Sequence, residues 1–148
     1  MVPKLHIKIQ FEASKQINDY LLDGMEAYNK EYTGHLPQPD PPHFTIILRD
    51  EQHTVYGGLM ADIAWEGLKI HVLWMEEPFR RQGYGSQLLE QAEELAREQQ
   101  CRLIHLETTS FHSYDFYLKH GFREVGKIEN YPVGETMYWM VKELGEKG

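Results

Sequence analysis

A chain of 148 residues with 41% hydrophobic and 26% charged side chains has the composition of one globular domain, here residues 1–148, and excludes a disordered or fibrous protein. Its net charge of −8, from 15 basic and 23 acidic residues, argues against a nucleic-acid binder, which needs clustered Lys and Arg. The single cysteine, Cys101, excludes a disulfide framework or a multi-cysteine zinc site and fits a reducing compartment.

Along the chain, Lys4–Phe11 alternates Leu5, Ile7, Ile9 and Phe11 with polar residues and predicts a strand. Ser14, as N-cap, opens a helix to about Glu31, with Ile17, Leu21, Met25 and Tyr28 at spacings of three and four. Four prolines in Pro37–Pro42 make a loop, because proline fixes φ and lacks a donor. Three strands follow, Phe44–Arg49, Thr54–Trp65 and Leu68–Met75, joined by turns at Asp50–His53 and Glu66-Gly67, with Gly57-Gly58 marking a bend or bulge.

Gln87–Gln100 is the clearest helix, with Leu88, Leu89, Ala92, Leu95 and Ala96 on one face and a Glu93–Arg97 pair on the other. Arg102–Thr108 then reads as a strand, so strand, helix and strand form a right-handed βαβ crossover. A short helix, Ser113–His120, stops at Gly121, and strands Phe122–Ile128 and Thr136–Glu143 complete the chain. The order β-α-β-β-β-α-β-α-β-β predicts an α+β fold: a mixed, mostly antiparallel sheet with helices on both faces. No apolar run reaches the ~20 residues that span a bilayer, and Met1–His6 does not read as a signal peptide. The expectation is a cytoplasmic protein with no membrane partner.

The chemistry concentrates in Arg80-Arg81-Gln82-Gly83-Tyr84-Gly85-Ser86, between an apolar strand and the strong helix. Two glycines let the backbone turn sharply and let amides approach a ligand. Those amides open a helix, where unpaired N–H groups and the macrodipole favour an anion. Two arginines enter the loop, and no acid occurs from Pro78 to Leu89. A diphosphate cradle is the physical reading; a plain strand–helix corner is the other. The absence of Gly-Lys-Ser/Thr excludes a nucleoside-triphosphatase loop, and Leu88 stands where the dinucleotide fingerprint needs its third glycine.

Arg80-x-x-Gly83-x-Gly85, after Leu73-Trp74-Met75, resembles the acetyl-CoA-binding motif of the GNAT superfamily of N-acetyltransferases. Phe116-Tyr117-Leu118-Lys119-His120-Gly121-Phe122 resembles that superfamily's second signature. The two lie about 30 residues apart, with the crossover helix and strand between them. The resemblance implies the GNAT fold and transfer of acetyl from acetyl-CoA to a primary amine, with no covalent acyl-enzyme. The implied cofactor-binding residues are Leu73, Trp74 and Met75, whose backbone pairs with pantetheine amides, and the loop Arg80, Arg81, Gln82, Gly83, Tyr84, Gly85 and Ser86 around the pyrophosphate. Ser110 stands where many members carry an asparagine that contacts the pantetheine arm. Tyr117 is the implied catalytic residue, protonating or hydrogen-bonding the leaving thiolate.

The base stays open among His71, Glu76, Glu77, Glu107 and a water chain. Tyr131 and Glu135, between the last two strands, border the implied acceptor site. No His-x-x-x-His pair with a nearby acid occurs, so no metal is expected. The acidic charge favours a small cationic amine as acceptor, and homodimers are frequent in such a family. Two rival readings are a non-catalytic acyl-CoA-sensing module that kept the cradle, and a protein N-acetyltransferase.

Overall fold

The computed structural model describes residues 2–145. The chain divides into two compact units, with the boundary between His35 and Leu36, just before the proline-rich loop. In the first unit, α1 runs over Lys15–Thr33, and Ser14 caps it by accepting from the Ile17 amide at 3.3 Å. The residues expected as a strand, Lys4–Phe11, form no ladder, and Leu5, Ile7, Ile9 and Phe11 are each at least 81% exposed. Alternation specifies which face a strand would bury, but a strand exists only when a neighbouring edge takes its amides and carbonyls.

The second unit is one six-stranded sheet, β1 (His43–Arg49), β2 (Val55–Ala64), β3 (Gly67–Met75), β4 (Leu103–Thr109), β5 (Arg123–Glu129) and β6 (Thr136–Glu143), in the order β1-β2-β3-β4-β6-β5. Only β3 and β4 run parallel; the other neighbours are antiparallel. The link between β3 and β4 is a 3₁₀ turn at Glu77–Phe79 followed by α2 (Tyr84–Glu98). A short α3 (Tyr114–Lys119) joins β4 to β5, and Gly121, at φ +89°, turns the chain out of it.

Turn chemistry explains the meander. Trp65 and Glu66, at φ 53° and 62°, make the tight turn between β2 and β3, one position earlier than Glu66-Gly67. The bulge expected at Gly57-Gly58 falls on Tyr56, since Leu48 pairs with Gly57 and Arg49 with Val55. The two glycines serve close approach instead: a Cβ on Gly57 would meet Trp74 O at 2.6 Å, and one on Gly58 would meet Ile46 O at 2.5 Å.

The core lies between α2 and the sheet. Leu88, Leu89, Ala92 and Ala96 of α2 pack with Leu59, Leu68, Ile104, Leu106 and Met140. Cys101 is buried among them, and burial pushes its thiol pKa up, with Glu66 adding to the effect. The expected Glu93–Arg97 pair is not made. Glu93 accepts from Lys142 Nζ at 2.7 Å, and Arg97 donates to the Leu144 carbonyl at 2.7 Å, so both residues tie α2 to the end of the sheet.

Candidate active site

The site begins where two parallel strands part. The β3–β4 ladder runs from Gly67↔Leu103 to Ile70↔Leu106 and stops there. Beyond it, β3 stays paired to β2 through Leu59↔Leu73 and Gly57↔Met75. Its other edge therefore has no strand partner among the described residues from His71 to Met75. A free strand edge is a row of unpaired amides and carbonyls, able to pair with an extended ligand.

Two clefts follow this opening. One, of about 660 Å³, is lined by Leu73, Trp74, Met75, Arg80, Arg81, Gly83, Gly85 and Ser86, with Phe111 and Phe116 opposite. The other, of about 430 Å³, is lined by His71, Leu73, Glu107, Thr109, His112 and Tyr117 among others. Leu73, Trp74, His112 and Ser113 line both, so the clefts adjoin.

The loop before α2 leaves the amides of the helix start open. Gly83 is its N-cap at φ +90°, which a β-carbon disfavours, and offers no side-chain cap. The first amide to find a backbone acceptor is Gln87, on Gly83 O at 3.2 Å, so those of Tyr84, Gly85 and Ser86 face outward without a backbone partner. The helix thus starts three residues before the expected Gln87 and takes Gly85 and Ser86 into its first turn. An added Cβ on Gly85 would reach Phe116 at 3.5 Å, on the cleft wall. Arg80 Nε donates to Met75 O at 2.9 Å, and Gln82 Nε2 donates to Pro78 O at 2.7 Å; both hold the loop's shape.

Tyr117 lies on α3 with 6% exposure, its ring edge-on to Phe116 and Phe122 at 5.2 and 5.3 Å. Burial raises its pKa to about 12, so the phenol keeps its proton at every working pH. In the same cleft, the Thr109 hydroxyl is buried with no partner among the described residues. Such orphans are uncommon, since an unmet buried hydroxyl costs ~1–3 kcal/mol.

Other expected residues lie elsewhere. Gln82, Tyr84 and Ser110 are not on either cleft wall. The Ser110 hydroxyl donates to the Glu135 carboxylate and accepts from the Thr136 amide at 2.9 Å, so it fastens the β4–α3 loop to the β5–β6 hairpin. Its one proton is committed to that link. Tyr131, Glu135, Glu76 and Glu77 are likewise off both walls. One residue given no role by the sequence reading is His120: its Nδ1 donates to Phe116 O at 2.8 Å, and its Nε2 is hydrogen-bonded to Ser86 Oγ at 2.9 Å. This bond joins α3 to the cradle, across 34 residues of sequence.

A mixed sheet opened beside a crossover helix, with an amide cradle at that helix's start, defines a class of acyl-CoA-dependent transferases. Residues 12–122 match the model of the acetyltransferase (GNAT) family, and the chain belongs to that family. Among curated relatives, acetyltransferase Atu2258 of Agrobacterium fabrum is 30% identical over 133 residues, covering 90% of this chain and 92% of that one. Blasticidin-S acetyltransferase of Streptomyces morookaense is 37% identical over 95 residues, 64% of this chain and 70% of that one. The crystal structure of an acetyltransferase from Bacillus cereus superposes with a TM-score of 0.76 at 30% identity, over 92% of this chain and 97% of that one. The protein is an acetyl-CoA-dependent acyltransferase.

Proposed function

We propose that residues 1–148 form one catalytic domain that moves the acetyl group of acetyl-CoA to a primary amine on a small cationic metabolite, by direct attack in a ternary complex. The observation that carries this reading is the meeting of the two clefts at Leu73–Trp74 and His112–Ser113. The pyrophosphate takes the Arg81–Ser86 amides, and the pantetheine arm lies along the free edge of Leu73–Met75. The thioester then sits where the clefts join, and the amine enters from the side lined by Tyr117. Held together there, the two reactants need no acyl-enzyme. The acidic chain and the relative named for blasticidin S favour a cationic acceptor.

Tyr117 acts on the sulfur. Its pKa of about 12 lies above the ~8.5 of a typical thiol, so complete transfer of the phenol proton would be uphill by ~5 kcal/mol. The phenol instead donates a hydrogen bond that stabilises the departing thiolate, in a site where burial strengthens it.

The test is release of free coenzyme A from acetyl-CoA with a panel of primary amines: blasticidin S, spermidine, an amino acid and an aminosugar. Steady turnover with a small amine is expected. Coenzyme A binding without turnover on any amine would mark a sensing module, and turnover confined to peptide amines would mark a protein acetyltransferase.

A further inference from the structure

We infer that His71, oriented by Asp62, is the base that takes the proton from the acceptor amine in the proposed reaction. His71 sits where β3 changes neighbours. The ladder to β4 ends at Ile70↔Leu106, and on the other side Ala61 pairs with Ile70 while Met60 pairs with Val72. His71 is therefore the extra residue of a β-bulge, a device that re-aims a side chain. It lines the same cleft as Thr109, His112 and Tyr117.

Its Nε2 is hydrogen-bonded to Asp62 Oδ1 on β2. An ionised carboxylate only accepts, so Nε2 carries the ring proton and the lone pair lies on Nδ1. No partner for Nδ1 occurs among the described residues. An imidazole held in one tautomer by a carboxylate, with the other nitrogen free beside a substrate cleft, is a general base awaiting a donor. Glu107, the acid that lines this cleft, faces Lys69 Nζ at 3.6 Å as an ion pair, whereas Asp62 reaches the cleft only through His71. His105 is not on the cleft wall, and its pKa is lowered by burial and by Lys69.

The step balances as follows. The ammonium form of the acceptor passes one proton to His71 Nδ1, and Asp62 neutralises the resulting imidazolium. The nitrogen lone pair bonds to the thioester carbonyl carbon, and the C–S bond breaks with its electrons on sulfur. The second proton, shed by the new amide nitrogen, reaches the sulfur, which Tyr117 holds by hydrogen bond. The products are acetamide and thiol, and the imidazolium returns its proton to water.

The proposal rests on the amine reading above, and its test separates the two. With blasticidin S and spermidine as probe amines, His71→Gln should lower kcat/KM about 10²–10³-fold, while KM for acetyl-CoA changes less than about twofold. The acid limb of its pH profile should vanish. Asp62→Asn should lower the rate less and move that limb, and Asp62→Glu should restore part of both. The charged and titratable groups around His71 are Asp62, Lys69, His105, Glu107, His112 and Tyr117; His105→Gln, as control, should leave the limb in place. Turnover surviving His71→Gln with its acid limb intact overturns the assignment. Nitrogen NMR of histidine-labelled protein needs no acceptor: a neutral His71 protonated on Nε2, released by Asp62→Asn, is expected, and an Nδ1-protonated ring overturns the proposal. Lack of turnover by the unmodified protein on both amines counts against the amine reading alone, with the NMR result still deciding His71.

Discussion

The two halves of the β3–β4 pair differ although the strands are continuous. From Gly67 to Ile70, β3 is bonded on both edges, and its Leu68 and Ile70 pack with Ile104 and Leu106 in the core. From His71 to Met75 it is bonded on one edge only, and Trp74 is 54% exposed. The closed half spends its backbone groups and side chains on the fold. The open half keeps a free edge, a bulged histidine and two clefts. The proposed site thus centres on the open segment while the fold rests mainly on the closed one, so variants in each should separate.

The largest expected effect belongs to the closed half. Ile104→Ala removes a fully buried side chain and should cost about 2–5 kcal/mol in urea unfolding. The remaining folded protein should bind coenzyme A normally; a matching loss of affinity would break the division. Across the cleft from the open half, on α3, Tyr117→Phe should lower kcat about 10–10³-fold with little change in acetyl-CoA affinity. Full activity in that variant would return Tyr117 to the core.

Tyr117 also links the halves through pH. Because the folded state raises its pKa from 10.0 to about 12, the unfolded chain releases the proton first as pH rises. The stabilisation is complete below pH 10 and is lost through about 12, some 2–3 kcal/mol in all. Alkaline denaturation should show that slope, and Tyr117→Phe should flatten it. No basic limb of the rate below about pH 11 should then belong to this residue.

Smaller effects belong to the cradle. Gly83→Val forces a β-branched residue to φ +90° and should weaken coenzyme A binding more than about tenfold by calorimetry; Gly83→Asn, which tolerates positive φ, should lose less. Equal affinities for all three proteins would remove the cradle from the cofactor site. Ser86→Ala, which deletes the bond to His120, should lower stability by about 0.5–1.5 kcal/mol in thermal melts.

Much of this was legible in the sequence. The 3.6 period of Leu88, Leu89, Ala92 and Ala96 marks α2, and alternation marks the meander, because those periods are set by backbone geometry alone. The Gly83-x-Gly85 spacing likewise announces a sharp turn and a helix start. Its limits lie with groups whose partners are remote. Glu93 and Arg97 have an ideal local spacing for each other, yet Lys142 and the Leu144 carbonyl claim them. Leu5 to Phe11 alternates as a strand should, yet no edge takes it. Ser110 has the position of a cofactor ligand but is bonded to Glu135 and Thr136.

The sequence by itself determined the element order of the second unit, the glycine turn into α2 and the family, since each depends on neighbours within a few residues or on a local motif. Tertiary structure alone decided where β3 and β4 part, that His71 falls on the bulge beside Asp62, and that His120 fastens Ser86. Those outcomes depend on register and on contacts between distant segments. A one-residue shift of register would turn the same side chains to the opposite face, and no local pattern encodes that choice.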